Sequence, residues 1–194
     1  KNLNWLRDKM EEIQKCRICG NKSLNTVMNL GLQSLTGVFP KKSEEQVKTG
    51  PIELLRCSAS DGCGLVQLKQ SYDLESMYGM NYGYRSGLNK SMVQHLQQKV
   101  ANILSKKILK KGDLVIDIGS NDGLLLRNFE KKGMRVLGIE PARETANKAI
   151  NSGVDTLIDY FNSKTAEKVI KDYGHAGIVT VNNLFANIDE LDDF

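Results

Sequence analysis

From Asp113 onward the sequence alternates short apolar runs with amphipathic segments, and this alternation restricts the fold more than any other feature. Residues 114–118, 135–139, 154–158 and 178–181 read as strands, and 124–132, 142–151 and 164–172 between them read as helices. Gly133 supplies a natural stop for the first of these helices. Strands that are apolar nearly throughout belong in a sheet covered on both faces, and a connection long enough to hold a helix makes neighbouring strands parallel. The expectation is an α/β domain with a Rossmann-like sheet of at least four parallel strands in doubly wound order. The turn at 119–123 should lie at the carboxyl edge of the first strand. Upstream, Met92, Leu96, Val100, Ile103 and Leu104 mark one face of a helix over about 88–108, expected to pack on that sheet.

Residues 1–72 follow a different grammar. All four cysteines lie there: Cys16, Cys19, Cys57 and Cys63. In a reduced compartment two close pairs separated by a loop read as metal ligands rather than disulfides. The expectation is one structural zinc held tetrahedrally by the four thiolates. Leu6, Met10 and Ile13 suggest a short amphipathic helix at the start, and 51–57 and 64–68 suggest two strands flanking a Ser/Asp/Gly-rich connection. Such a segment has little continuous core, so a metal would supply stabilisation. Residues 73–111 form a connector with the long helix, and 112–194 form the α/β domain. Tyr72, Tyr78, Tyr82 and Tyr84 gather around the start of the connector.

Composition removes several classes. The net charge is only +4, and the basic doublets are scattered, which disfavours a nucleic-acid face. No apolar run approaches the ~20 residues of a membrane span. No signal peptide is visible, so a cytoplasmic protein is expected.

The chemistry concentrates in Asp117-Ile118-Gly119-Ser120-Asn121-Asp122-Gly123. Glycines at a strand-to-helix turn let backbone approach a ligand closely. The dinucleotide fingerprint G-x-G-x-x-G is absent, because Ser120 and Asn121 occupy its centre, and this disfavours an NAD-dependent enzyme. Asp117 and Asp122 place carboxylates where phosphate would be repelled. Glu140 ends the second strand 23 residues after Asp117, where an acidic side chain can accept two ribose hydroxyls. A cationic ligand bearing a diol fits this set, and S-adenosylmethionine has a sulfonium, an ammonium and a ribose diol.

These residues resemble the class I S-adenosylmethionine-dependent methyltransferases. The resemblance extends to the sugar C-methyltransferase family with an N-terminal zinc-binding domain. It is carried by Cys16-Arg17-Ile18-Cys19-Gly20, by 30–35, by Cys57 to Cys63 with 64–68, by Tyr82-Gly83-Tyr84-Arg85-Ser86-Gly87, by His95 and by 181–194. Five residues separate Cys57 from Cys63 where the family usually has Cys-x-x-Cys, and Asn187 stands where it often has His. The resemblance implies a methyltransferase acting on carbon in a nucleotide-linked keto-deoxysugar, with S-adenosylmethionine and Zn2+ as cofactors. It implies an incomplete sheet here, an N-terminal fragment inactive alone, and main catalytic residues beyond Phe194. Within this chain it implies that Gly119 and Gly123 line the methionine end, with Asp117 near the ammonium. Ser120, Asn121 and Asp122 complete the turn. Glu140 accepts the ribose hydroxyls, Pro141 flanks the adenine, Asp159, Tyr160 and Phe161 reach its edge, and Asn183 borders the methionine moiety. Tyr82 and Tyr84 are the candidates to orient the methyl group. The alternative function is a zinc-ribbon module that recruits a partner or nucleic acid, which would leave Asp117 and Glu140 unexplained.

Overall fold

The computed structural model describes residues 10–35, 40, 42, 44, 47–58, 60–73, 77, 82–188, 191 and 194. Leu6 and Tyr78 lie outside these residues, as do 189–190 and 192–193 of the terminal motif. The chain divides into two compact units, one up to residue 78 and one over 79–188.

The first unit is built from antiparallel strands. β2 (Leu24–Ser34) pairs with β3 (Thr49–Cys57), which pairs with β4 (Val66–Leu68). Separately, β1 (Met10–Glu12) pairs with β5 (Gln70–Tyr72). Met10 therefore belongs to a strand rather than to the amphipathic helix its spacing suggested. Pairing with β5 supplies backbone partners that a three-residue fragment of helix could not, and Ile13 N continues it by donating to Lys69 O at 2.9 Å. Lys69 in turn meets Glu53 at 3.2 Å and Glu12 at 3.5 Å.

The second unit carries the alternation read from the sequence. Four parallel strands stand in the order β8 (Thr156–Leu157), β7 (Arg135–Ile139), β6 (Leu114–Ile118) and β9 (Ile178–Val181). The crossovers hold α2 (Leu124–Glu130), α3 (Arg143–Asn151) and α4 (Ser163–Tyr173), and α1 (Lys90–Ser105) precedes β6. Asn89 caps α1, its side chain accepting from the N–H of Ser91 at 2.9 Å and of Met92 at 3.4 Å. β6 is central, and all five of its residues are buried. Val115 joins Leu96, Val100, Leu125, Leu126 and Phe129 on one face. Leu114, Ile116 and Ile118 join Leu137, Ile139 and Val169 on the other. By strand alternation Asp117 shares the face of Val115.

One strand is shorter than its apolar run suggests. Val154 is buried, but its N–H bonds the Ala149 carbonyl at 3.1 Å, so it closes the end of α3 after Gly153 at φ +92°. Only Thr156 and Leu157 then pair with β7. In-register pairing of β6 with β7, from Leu114 opposite Arg135 to Ile118 opposite Ile139, brings the residues after both strands side by side. The candidate site of the second unit forms at this edge.

Candidate functional site

The cysteines come from two loops of the first unit. Cys16 to Cys19 form a turn closed by Gly20 N donating to Cys16 O at 3.0 Å, with Gly20 at φ +71°. Cys57 ends β3, and its N–H bonds Leu65 O at 2.8 Å, while Gly64 follows Cys63 at φ +74°. The longer Cys57–Cys63 spacing is accommodated by a side loop anchored through Ser58 N to Ser23 O at 2.9 Å. The four sulfurs lie within 4.8 Å of one another, with Cys16–Cys63 and Cys19–Cys57 each at 3.6 Å. All four thiols are free. Tetrahedral zinc with Zn–S bonds of about 2.3 Å requires sulfurs about 3.8 Å apart, so the set fits zinc.

Two further observations support that fit. Asn21 Nδ2 and Gln67 Nε2 are buried without a hydrogen-bond partner. Gln67 accepts from Arg17 N at 3.1 Å, and Asn21 O accepts from Cys16 N at 2.8 Å, so both flank the first cysteine turn. Donors in this position suit thiolates rather than thiols. A Cβ at Gly62 would stand 2.4 Å from Cys57 Sγ, so glycine keeps the fourth side of the cluster clear.

In the second unit, Asp117 and Glu140 are 3% and 5% exposed. Glu140 Oε2 accepts from Asn121 N at 2.8 Å and Oε1 from Ala142 N at 2.9 Å, joining the turn after β6 to the start of α3. Burial pushes its carboxyl above the ordinary range, against these two hydrogen bonds. Asp117 Oδ1 accepts from Thr180 Oγ1 at 2.7 Å and Asn182 Nδ2 at 3.0 Å. Lys99 Nζ then donates to Asn182 Oδ1 at 2.7 Å. Burial raises the Asp117 carboxyl from 3.8 to about 6, despite these donors and the Lys99 charge.

Between the two carboxylates runs the turn itself. Gly119 and Gly123 have φ of +70° and +73°, and Asn121 has φ +52°. Ser120 is buried, its hydroxyl unpartnered. Asn121 and Asp122 are turned toward the protein. Asn121 Oδ1 accepts from Ser86 N at 2.9 Å, and its Nδ2 donates to Tyr84 O at 3.1 Å. Asp122 Oδ2 accepts from Gly87 N at 2.8 Å, and Oδ1 from Leu124 N at 3.3 Å at the start of α2. The turn thus clasps residues 84–87. A Cβ at Gly87 would lie 2.7 Å from Asp122 Oδ2, so glycine lets the carboxylate reach the backbone.

The remaining expected residues surround this core unevenly. Tyr82 is half-buried and Tyr84 is 40% exposed, both just before the clasped segment. Pro141 is half-buried after Glu140. Asp159 is exposed and accepts from Tyr160 N at 2.8 Å, while Phe161 packs edge-on against Phe194 at 5.4 Å. Asn183 is exposed at φ +54°, and its neighbour Asn182 makes the contact to Asp117. Thr180, Asn182 and Lys99 were not singled out from sequence. A threonine in an otherwise apolar strand and a lysine beside the α1 stripe were the available signals.

The molecule therefore joins a four-cysteine metal centre to a parallel α/β unit with two buried acids at adjacent strand ends. Residues 16–78 match a methyltransferase-family model described as "Putative zinc binding domain". The chain is similar to the C-methyltransferase NovU of Streptomyces niveus, at 29% identity over 190 residues, covering 96% of this chain and 44% of NovU. It thus spans less than half the length of that relative. Among solved structures, the plantazolicin methyltransferase BamL in complex with SAH is 14% identical with a TM-score of 0.42, covering 53% of this chain and 39% of that one. Magnesium protoporphyrin IX methyltransferase of Synechocystis PCC 6803 with bound SAM is 16% identical with a TM-score of 0.38, covering 48% and 46%.

Elemental analysis of protein purified without chelator should return one zinc per chain, and Cys57→Ser should lower the bound zinc at least about tenfold. Wild-type protein without stoichiometric zinc contradicts the site.

Asp117 carries a pH dependence of defined sign. Because its folded value of about 6 exceeds the ordinary 3.8, the folded state holds the extra proton between those values. The ionised side chain opposes folding fully above about pH 6, and the opposition fades as the pH falls toward 4. Asp117→Asn keeps an Oδ1 acceptor for both donors. It should be more stable than wild type by about 1–3 kcal/mol near pH 8, with the gap closing toward pH 4. Denaturant unfolding at both pH values measures this, and a variant less stable near pH 8 contradicts it.

Proposed function

We propose that this chain carries the cofactor-binding part of an S-adenosylmethionine-dependent C-methyltransferase acting on a nucleotide-linked keto-deoxysugar. The observation that carries the reading is the pair of buried carboxylates, Asp117 and Glu140, at the carboxyl ends of neighbouring parallel strands. Acids at this edge disfavour a diphosphate and favour a ligand with a cation at one end and hydroxyls at the other. The similarity to NovU, a C-methyltransferase by name, and the zinc-domain match over 16–78 point the same way. The sugar substrate follows from the resemblance of the motifs at 16–20, 82–87 and 181–194.

S-adenosylmethionine supplies an electrophilic methyl group on a sulfonium. The chain's own residues bind and orient. Both donors to Asp117 reach Oδ1, so Oδ2 takes neither and can face an ammonium. Each Glu140 oxygen retains a lone pair beyond its backbone N–H, enough for the two hydroxyls of a ribose. The positive φ of Gly119 and Gly123 bends the backbone tightly around this space. Pro141 and residues 159–161 are assigned to the adenine, and Asn183 to the methionine moiety. Tyr82 and Tyr84, on the segment that Asn121 and Asp122 clasp, are assigned to the methyl-transfer region. Four free thiols gathered for a metal accord with a reducing, cytoplasmic setting.

Calorimetric titration of the full-length protein with S-adenosylhomocysteine tests this, wild type against Glu140→Gln. Loss of a charged acceptor for buried hydroxyls should weaken binding about ten- to a hundredfold, or roughly 1.5–3 kcal/mol. Unchanged affinity in the folded variant removes Glu140 from the site. A wild type that does not bind contradicts the reading.

A further inference from the structure

We propose that Lys99 is a positioning residue for the cationic end of the ligand, acting through the Asn182 amide to set which oxygen of Asp117 is presented. This rests on the cofactor reading above and adds to it a residue on a different element.

Lys99 lies on α1, half-buried beside the stripe of Leu96 and Val100 that packs into the core. Its ammonium meets Asn182 Oδ1 at 2.7 Å, and Asn182 Nδ2 meets Asp117 Oδ1 at 3.0 Å. An asparagine amide is nearly symmetric in shape, and alone it could present either end to a neighbour. Here its orientation is forced from both sides. An ammonium only donates, so it takes the amide oxygen. An ionised carboxylate only accepts, so it takes the amide NH2. Thr180 Oγ1 adds a second donor to the same carboxylate oxygen at 2.7 Å. The result is a saturated Oδ1 and an Oδ2 that takes neither bond, in a side chain that is 3% exposed.

Without Lys99 the amide is oriented by the carboxylate alone, and nothing holds its oxygen end. Asn182 can then swing away from Asp117, so Oδ1 loses a donor and the carboxylate is free to rotate. The consequence falls on a cation bound at Oδ2 and spares the adenosine end, which Glu140 serves from the next strand. A lysine that merely tethered α1 to the residues after β9 would affect both ends of the ligand alike.

The test compares two ligands on the full-length protein by calorimetry. S-adenosylhomocysteine carries the amino-acid cation, and 5′-methylthioadenosine has the same adenosine and sulfur without it. Lys99→Met should weaken the first by about tenfold or more and change the second by less than about twofold. Lys99→Arg, which still only donates, should recover most of the loss. Equal weakening of both ligands, or of neither, overturns the proposal. If Lys99→Met does not fold, Lys99→Leu, which also cannot donate, carries the same comparison. A wild type that binds S-adenosylhomocysteine no better than methylthioadenosine also overturns it, while leaving the adenosine site standing. A wild type that binds neither overturns the cofactor reading itself.

Discussion

A carboxylate removed from water must be surrounded by donors or give up its charge, and two such groups organise the second unit. Glu140 meets the backbone N–H of Asn121 and of Ala142, and so fixes the turn after β6 to the loop that opens α3. Asp117 is held from the opposite side by Thr180 and Asn182 on and after β9. The strand order makes this possible. With β6 between β7 and β9, one acid of β6 reaches donors on one neighbour while its turn donates to the acid of the other. Burial raises both carboxyls, an expense in stability that a cationic, hydroxyl-rich ligand would offset.

The first unit solves a different problem. Apart from β3 its strands are short or exposed, with Val27, Met28, Leu30 and Leu32 of β2 all half-exposed or more. Among the described residues its buried hydrophobic side chains are Cys16, Leu35, Leu55 and Cys57. Two of these four are cysteines of the cluster, so the cluster lies among the buried side chains of this unit. Zinc held there would couple metal binding to folding in this unit, whereas the second unit has packed clusters on both faces of its sheet.

The parts of this architecture that repeat with a period could be read from sequence, and the parts that depend on a distant partner could not. β6, β7 and β9 occupy the residues their apolar runs mark, because runs that are apolar nearly throughout show their own limits. The clustering of the four cysteines was legible from spacing and residue type. β2 was missed because its register shifts twice, around Val27 and around Gly31 at φ +66°, which breaks the alternation. The strand at Met10 is not visible locally, because its partner Tyr72 lies 62 residues away. The roles of Asn121 and Asp122 were hidden for the same reason. Their partners are backbone N–H groups of 86–87, which no side-chain pattern records.

The central claim is that Asp117 and Glu140 receive the two ends of one ligand. Crystals of the full-length protein grown with S-adenosylhomocysteine test it most directly. The account predicts the ligand ammonium within hydrogen-bonding distance of Asp117 Oδ2, directly or through one water, and both ribose hydroxyls on the Glu140 carboxylate. Density showing the nucleoside elsewhere, with both carboxylates facing only protein, would contradict it.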